Sequence, residues 1–129
     1  MSSYNKMSIQ VLEERLQHKP ASLLFSRLAD SHRKNGNVQE AISICIKGLE
    51  YHPNYTTGRI ILGRCYLEQE NIKDAIEQFS EVCKLDRRNQ LAVKMLADIY
   101  SKQDMGEKAG NLYSILLDMD PENQSLIHL

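Results

Sequence analysis

The sequence predicts an all-α chain built as an array of helix-turn-helix units. Three observations carry that expectation. Small and apolar residues recur every 34 positions: Leu28, Leu62 and Leu96, then Ala41, Ala75 and Ala109. Within each period the apolar residues step by three and four, which places them on one helix face. Each period is divided once by a short polar break, and Pro53 and Pro121 stand two periods apart with Arg87 midway.

These registers cut the chain into repeats 22–55, 56–89 and 90–123. The first half of each repeat reads as a helix, with Leu62, Gly63 and Tyr66 matched by Leu96, Ala97 and Tyr100. The breaks are Lys34-Asn-Gly-Asn37, Glu68-Gln-Glu-Asn71 and Lys102-Gln-Asp-Met105. Gly36 suits the left-handed residue that closes a helix. Asn37 with Glu40, and Asn71 with Asp74, have the spacing of a capping box. The second half carries its own apolar stripe, as in Ala75, Ile76, Phe79, Val82 and Cys83. Ala29, Gly63 and Ala97 on first helices, and Ala41, Ala75 and Ala109 on second helices, are the low points where two helices approach closely.

Ahead of the repeats, residues 8–18 read as a capping helix with Ile9, Leu12 and Leu16 on one face, and residues 1–7 as disordered. Residues 124–129 begin an incomplete fourth repeat, with Leu126 and Leu129 in the register of Val93 and Leu96. The whole chain, 1–129, is expected to form one domain.

The spacing aromatic-x2-Leu-small-x2-Tyr, then Ala-x3-aromatic, then Pro resembles the tetratricopeptide repeat (TPR) family over roughly residues 22–123. The chain departs from that pattern at Arg59, Val93, His32, Cys45, Gly106 and Arg87. The resemblance implies a right-handed α-solenoid whose first helices line a concave groove, and a noncatalytic module that holds a protein or peptide segment there, as scaffold, adaptor or chaperone. The peptide-binding residues it implies are Asp30, Arg33, Lys34, Ile60, Arg64, Leu67, Lys94, Asp98 and Lys102. With Glu68 added, this face carries Arg33, Lys34, Arg64, Lys94 and Lys102 against three carboxylates, so it is more basic than a chain whose total is −1. Ile60, Arg64 and Leu67 form its central stripe.

Other classes are weaker on the residues. With a charge of −1 there is no electrostatic drive toward nucleic acid or an anionic membrane, and the groove lacks the stacking aromatics of an RNA-binding helical repeat. No apolar run reaches the roughly 20 residues of a membrane span, and a polar N-terminus without an apolar core region points to a cytoplasmic protein. No nucleophile elbow, phosphate loop or metal-ligand spacing is present, so no enzyme activity, cofactor or metal is expected. Cys45, Cys65 and Cys83 read as reduced core thiols, and His32 as a core-edge residue in a tyrosine register. Some TPR proteins clamp the acidic tail of heat-shock chaperones with Lys, Asn and Arg. The matching positions here are Ser26, Asp30, Leu91 and Met95, which cannot hold a carboxylate. Self-assembly through the array ends is the alternative use, with Leu116 and Leu126-Ile127 expected to meet a second copy or residues beyond Leu129.

Overall fold

The computed structural model describes residues 2–122, with side chains from residue 9 onward. Among the described residues the structure is seven helices: α1 (Ser2–His18), α2 (Phe25–Lys34), α3 (Val38–Tyr51), α4 (Thr56–Glu68), α5 (Ile72–Leu85), α6 (Gln90–Lys102) and α7 (Gly106–Met119). The 34-residue period is written into their ends. Helices α2, α4 and α6 stop at Lys34, Glu68 and Lys102, and α3, α5 and α7 start at Val38, Ile72 and Gly106. The chain packs as two compact units, residues 1–75 and 76–129, with the division inside α5.

The turn inside each repeat is the same backbone device three times. Gly36, Glu70 and Asp104 all have positive φ, at 85°, 59° and 58°. The next residue then donates its N–H back to the residue that closes the apolar stripe: Asn37 to the His32 carbonyl at 2.8 Å, Asn71 to Tyr66 at 2.8 Å, and Met105 to Tyr100 at 2.9 Å. This six-to-one bond around a left-handed residue satisfies carbonyls that the helix leaves open. Only the first turn uses glycine. Asn71 forms half of the expected box, its side-chain oxygen accepting from the Asp74 N–H at 3.3 Å, while its side-chain amide, not its backbone N–H, donates to the Asp74 carboxylate at 2.7 Å. Asn37 does not: α3 begins without a side-chain cap, and the backbone bond of Asn37 to His32 fixes its geometry instead. Asn89 caps α6 through the Ala92 N–H at 3.0 Å.

Two boundaries differ from expectation. Helix α1 begins at Ser2, so residues 2–7 are helical and not disordered. No Gly or Pro interrupts the chain before Pro20, so nothing breaks the backbone ladder there. Helix α2 begins at Phe25, three residues inside its repeat, because the Ser22 hydroxyl accepts from the Leu24 N–H at 3.2 Å and holds residues 22–24 in a turn.

In the first unit α2, α3 and α4 enclose a core of Phe25, Ala29, Ala41, Ile42, Cys45, Leu49, Ile61, Leu62 and Cys65. Ala29 and Ala41 have no exposed surface, as the close approach of α2 and α3 requires. Phe25 is the largest side chain in this core. Its ring rests on the backbone of two glycines, Gly48 of α3 and Gly58 of α4, and meets Tyr55 edge-on at 5.8 Å. Helix α1 lies on α2 and buries Leu12, while Leu16 packs against the core. In the second unit α6 and α7 pack together. Val93 and Leu116 meet there, with Leu112, Tyr113, Leu117 and Cys83 around them.

The thiols behave as core groups. Cys45 and Cys65 are fully buried and Cys83 half-buried, none of them in a disulfide. Burial pushes the Cys45 thiol well above its ordinary range and the Cys65 thiol up to about 11. His32 sits at the core edge with its Nε2 3.6 Å from the Glu13 carboxylate. The expected repeat start at 124–129, including Leu126 and Ile127, lies outside the described residues.

Candidate functional site

The first-helix residues divide into those tied to one another and those left to meet something else. On α2, Asp30, Arg33 and Lys34 form a local network. Arg33 bridges Asp30 at 2.9 Å, and Lys34 reaches the other oxygen of the same carboxylate at 3.2 Å. Arg33 also crosses to α4 and donates to Glu68 at 2.6 Å. Burial works against ionisation of Asp30, but the bonds from Arg33 and Lys34 outweigh it and hold the carboxyl below its ordinary value. Arg33 is only 14% exposed. Each of its three nitrogens points at one of two carboxylates, so it braces α2 against α4.

On α4 the picture is reversed. Ile60, Arg64 and Leu67 are all half-buried and follow one another at helical spacing, so they line one stripe. Among the described residues Arg64 makes neither a hydrogen bond nor an ion pair. A guanidinium flanked by two partly covered aliphatic side chains is a charge-plus-apolar recognition element with its donors open. Glu68, one turn after Arg64, is occupied by Arg33. Leu23, ahead of α2, is a further exposed apolar residue in this unit.

On α6, Lys94 pairs with Asp98 at 3.4 Å. The Tyr113 hydroxyl of α7 donates to the same carboxylate at 2.7 Å, and burial together with that carboxylate raises the tyrosine above its ordinary value. Asp98 therefore fastens α6 to α7. Lys102 is exposed at the end of α6, and Leu91 at its start is an exposed apolar side chain. Asp30, Arg64 and Asp98 occupy the same register of successive repeats, yet of these three only Arg64 is without a partner among the described residues.

The two cross-helix ties, Arg33 to Glu68 and Tyr113 to Asp98, escape a reading of the sequence. Each joins residues far apart in the chain, and no period or spacing marks such a pair. The positions matched to a carboxylate clamp do not supply one in the first unit. Ser26 is buried and donates its hydroxyl to the Leu23 carbonyl at 3.1 Å, and Asp30 is an anion. Leu116, expected at an open end, is buried against Val93 of its own unit. The exposed apolar residue of α7 is its neighbour Ile115. Among the described residues no helix is long and apolar enough to cross a membrane, and no group of three metal-ligating side chains occurs.

Comparison with known proteins agrees with this architecture. Residues 32–82 match a family model described as a tetratricopeptide repeat. A mitochondrial pentatricopeptide repeat-containing protein of Arabidopsis thaliana is 26% identical over 88 residues, which are 68% of this chain and 10% of that protein. The chain thus spans about a tenth of that relative's length. The crystal structure of MamA superposes with a TM-score of 0.86 at 17% identity, over 97% of this chain and 74% of MamA. The first TPR of Spaghetti (RPAP3), solved bound to the HSP90 peptide SRMEEVD, superposes with a TM-score of 0.76 at 18% identity, over 84% of this chain and 86% of that one. Three helical hairpins in 34-residue register, closed by the same left-handed turn, thus accompany a tetratricopeptide repeat match over residues 32–82.

Proposed function

We propose that the chain is a noncatalytic protein-interaction module whose first unit grips a peptide segment along α4, with Ile60 and Leu67 as apolar anchors and Arg64 as the charged one. The observation that carries this reading is Arg64, a half-buried residue whose guanidinium has no partner among the described residues, placed between two aliphatic residues. A buried or partly buried cation without a counter-charge is costly, and a ligand carboxylate relieves that cost. The partner segment therefore carries an acidic residue flanked by apolar side chains.

The neighbour solved with an HSP90 peptide supports peptide binding by this fold. It does not set the ligand, because Ser26 and Asp30 stand where a clamp for a chaperone tail would need cations and amides. Arg33, Asp30 and Lys34 act in this reading as the brace that holds the α2–α4 face in shape. Lys94, Asp98 and Lys102 belong to the second unit and serve as a separate, weaker charged face on α6. Recovery of partners on immobilised protein tests the reading. Arg64→Glu should retain full helicity and lose the partners that the unchanged protein recovers. Equal recovery by both proteins would refute it.

A further inference from the structure

A separate concavity opens on another face of the first unit, between α1 and α3. It encloses about 500 Å³ and does not involve the α4 stripe. Its floor and walls are apolar: Leu16 of α1, Phe25 and Leu28 of α2, and Ile44 of α3. Gly48 on the α3 wall presents no side chain, and the Phe25 ring occupies that place. Charge is distributed unevenly along it. Glu13 from α1 and Glu40 from α3 stand at one end, and Lys47 stands on the α3 wall toward the other. Glu40 and Lys47 are two helical turns apart on one face of α3, about 10 Å along its axis. Beyond Lys47 the same face continues to Tyr51, a large apolar side chain left exposed.

Neither acid at the first end is neutralised by a strong cation. The neighbour of Glu13 is His32, at 3.6 Å, beyond hydrogen-bond reach. Glu40 lies in the first turn of α3, where the helix terminus offers only a partial positive charge. We propose that this groove is a second docking surface, for an amphipathic helix of a partner protein that presents a large aliphatic residue flanked on one side by Lys or Arg and on the other by an acid. Two helices with an apolar floor accept a third helix in this way, through anchors one turn apart. The aliphatic side chain fills the space above Leu28 and Phe25. The cation meets Glu13 and Glu40, and the acid meets Lys47, so the charge order also fixes the direction in which the helix lies.

The test uses two fluorescent alanine-based peptides of about 16 residues, long enough to sample helix in isolation. Both carry leucines one turn apart. One has arginine before them and aspartate after, and the other has aspartate at both places. Fluorescence anisotropy should show the first peptide binding the full chain at least tenfold more tightly than the second. Glu13→Lys combined with Glu40→Lys should reverse that preference, with helicity checked by circular dichroism. Arg64→Glu should leave both affinities unchanged, which separates this surface from the α4 stripe. Equal affinity of the two peptides for the unchanged chain overturns the proposal, and this arm requires no variant to fold. Absence of binding by the first peptide, or loss of its binding in Arg64→Glu, overturns it as well.

Discussion

The ring of Phe25 lies directly on the backbone of Gly48: a Cβ at position 48 would stand 2.2 Å from the ring. Two periods later the same two positions are Val93 and Leu116, which are buried against each other in the second unit. The bulk at this α-hairpin contact has moved from one helix to the other. Glycine inside a helix costs about 0.5–1 kcal/mol relative to alanine, and here the seat of the largest core side chain in its unit offsets that cost.

Gly48→Ala is therefore expected to destabilise the protein despite improving helix propensity, by about 1–3 kcal/mol of overpacking. Phe25→Val combined with Gly48→Leu reproduces the Val93–Leu116 pair. The double variant should be more stable than the sum of its single changes by at least about 1 kcal/mol, since residues in contact couple by such amounts. Urea denaturation of the four proteins measures this. Additive effects would show that the two positions do not share the space.

Glu70 and Asp104 hold left-handed backbone conformations that favour glycine. Strain at such positions is of order 1 kcal/mol or more, while glycine adds entropy to the unfolded chain. Glu70→Gly and Asp104→Gly should each stabilise by about 0.5 kcal/mol, the reverse of the usual effect of glycine. The equivalent glycine, Gly36, has φ of 85° and open space on its Cβ side, with no atom within 4 Å of where a methyl group would stand. Gly36→Ala should then cost about 1 kcal/mol from the backbone alone. Thermal melts of the three variants check the signs, and a fall in melting temperature for both Glu70→Gly and Asp104→Gly would contradict the assignment of the turn.

Acid should loosen the α2–α4 brace. The bonds of Arg33 and Lys34 hold Asp30 below its ordinary value against the effect of burial. A carboxyl depressed in the folded state contributes stability that is present above the unfolded pKa, near 3.9, and lost as pH falls through the folded value. The unchanged protein should therefore lose more stability below about pH 4 than Asp30→Asn does. Parallel stability curves for the two proteins from pH 5 downward would remove Asp30 from the brace.

Much of the fold was legible because the chain repeats. The Ala41, Ala75 and Ala109 register places the turn inside each repeat, and the polar breaks fall at those turns. Gly36 gave away the left-handed turn, but Glu70 and Asp104 did not, since acids carry no intrinsic mark of positive φ. Their register with Gly36 was the available signal. The binding residues were less legible. Arg33 and Arg64 look alike as exposed cations on neighbouring first helices, and charge composition counts them equally. The difference between them is Asp30, one turn before Arg33, and Glu68, which reaches Arg33 across the helix gap and not Arg64. Such a choice depends on side-chain geometry between helices. Gly48 was likewise unmarked, because the size of a residue on α3 has meaning only beside the Phe25 it faces.

The most direct test of the proposed partner surface is site-specific photocrosslinking in a cell extract. A benzophenone amino acid is placed at Ile60 or Leu67 on the α4 stripe, or at Ile46, an exposed apolar position on α3. The same partner adducts are expected from positions 60 and 67, none of them from position 46, and all should disappear when Arg64→Glu is added. Adducts formed at 46 and absent at 60 and 67 would contradict a binding surface on α4.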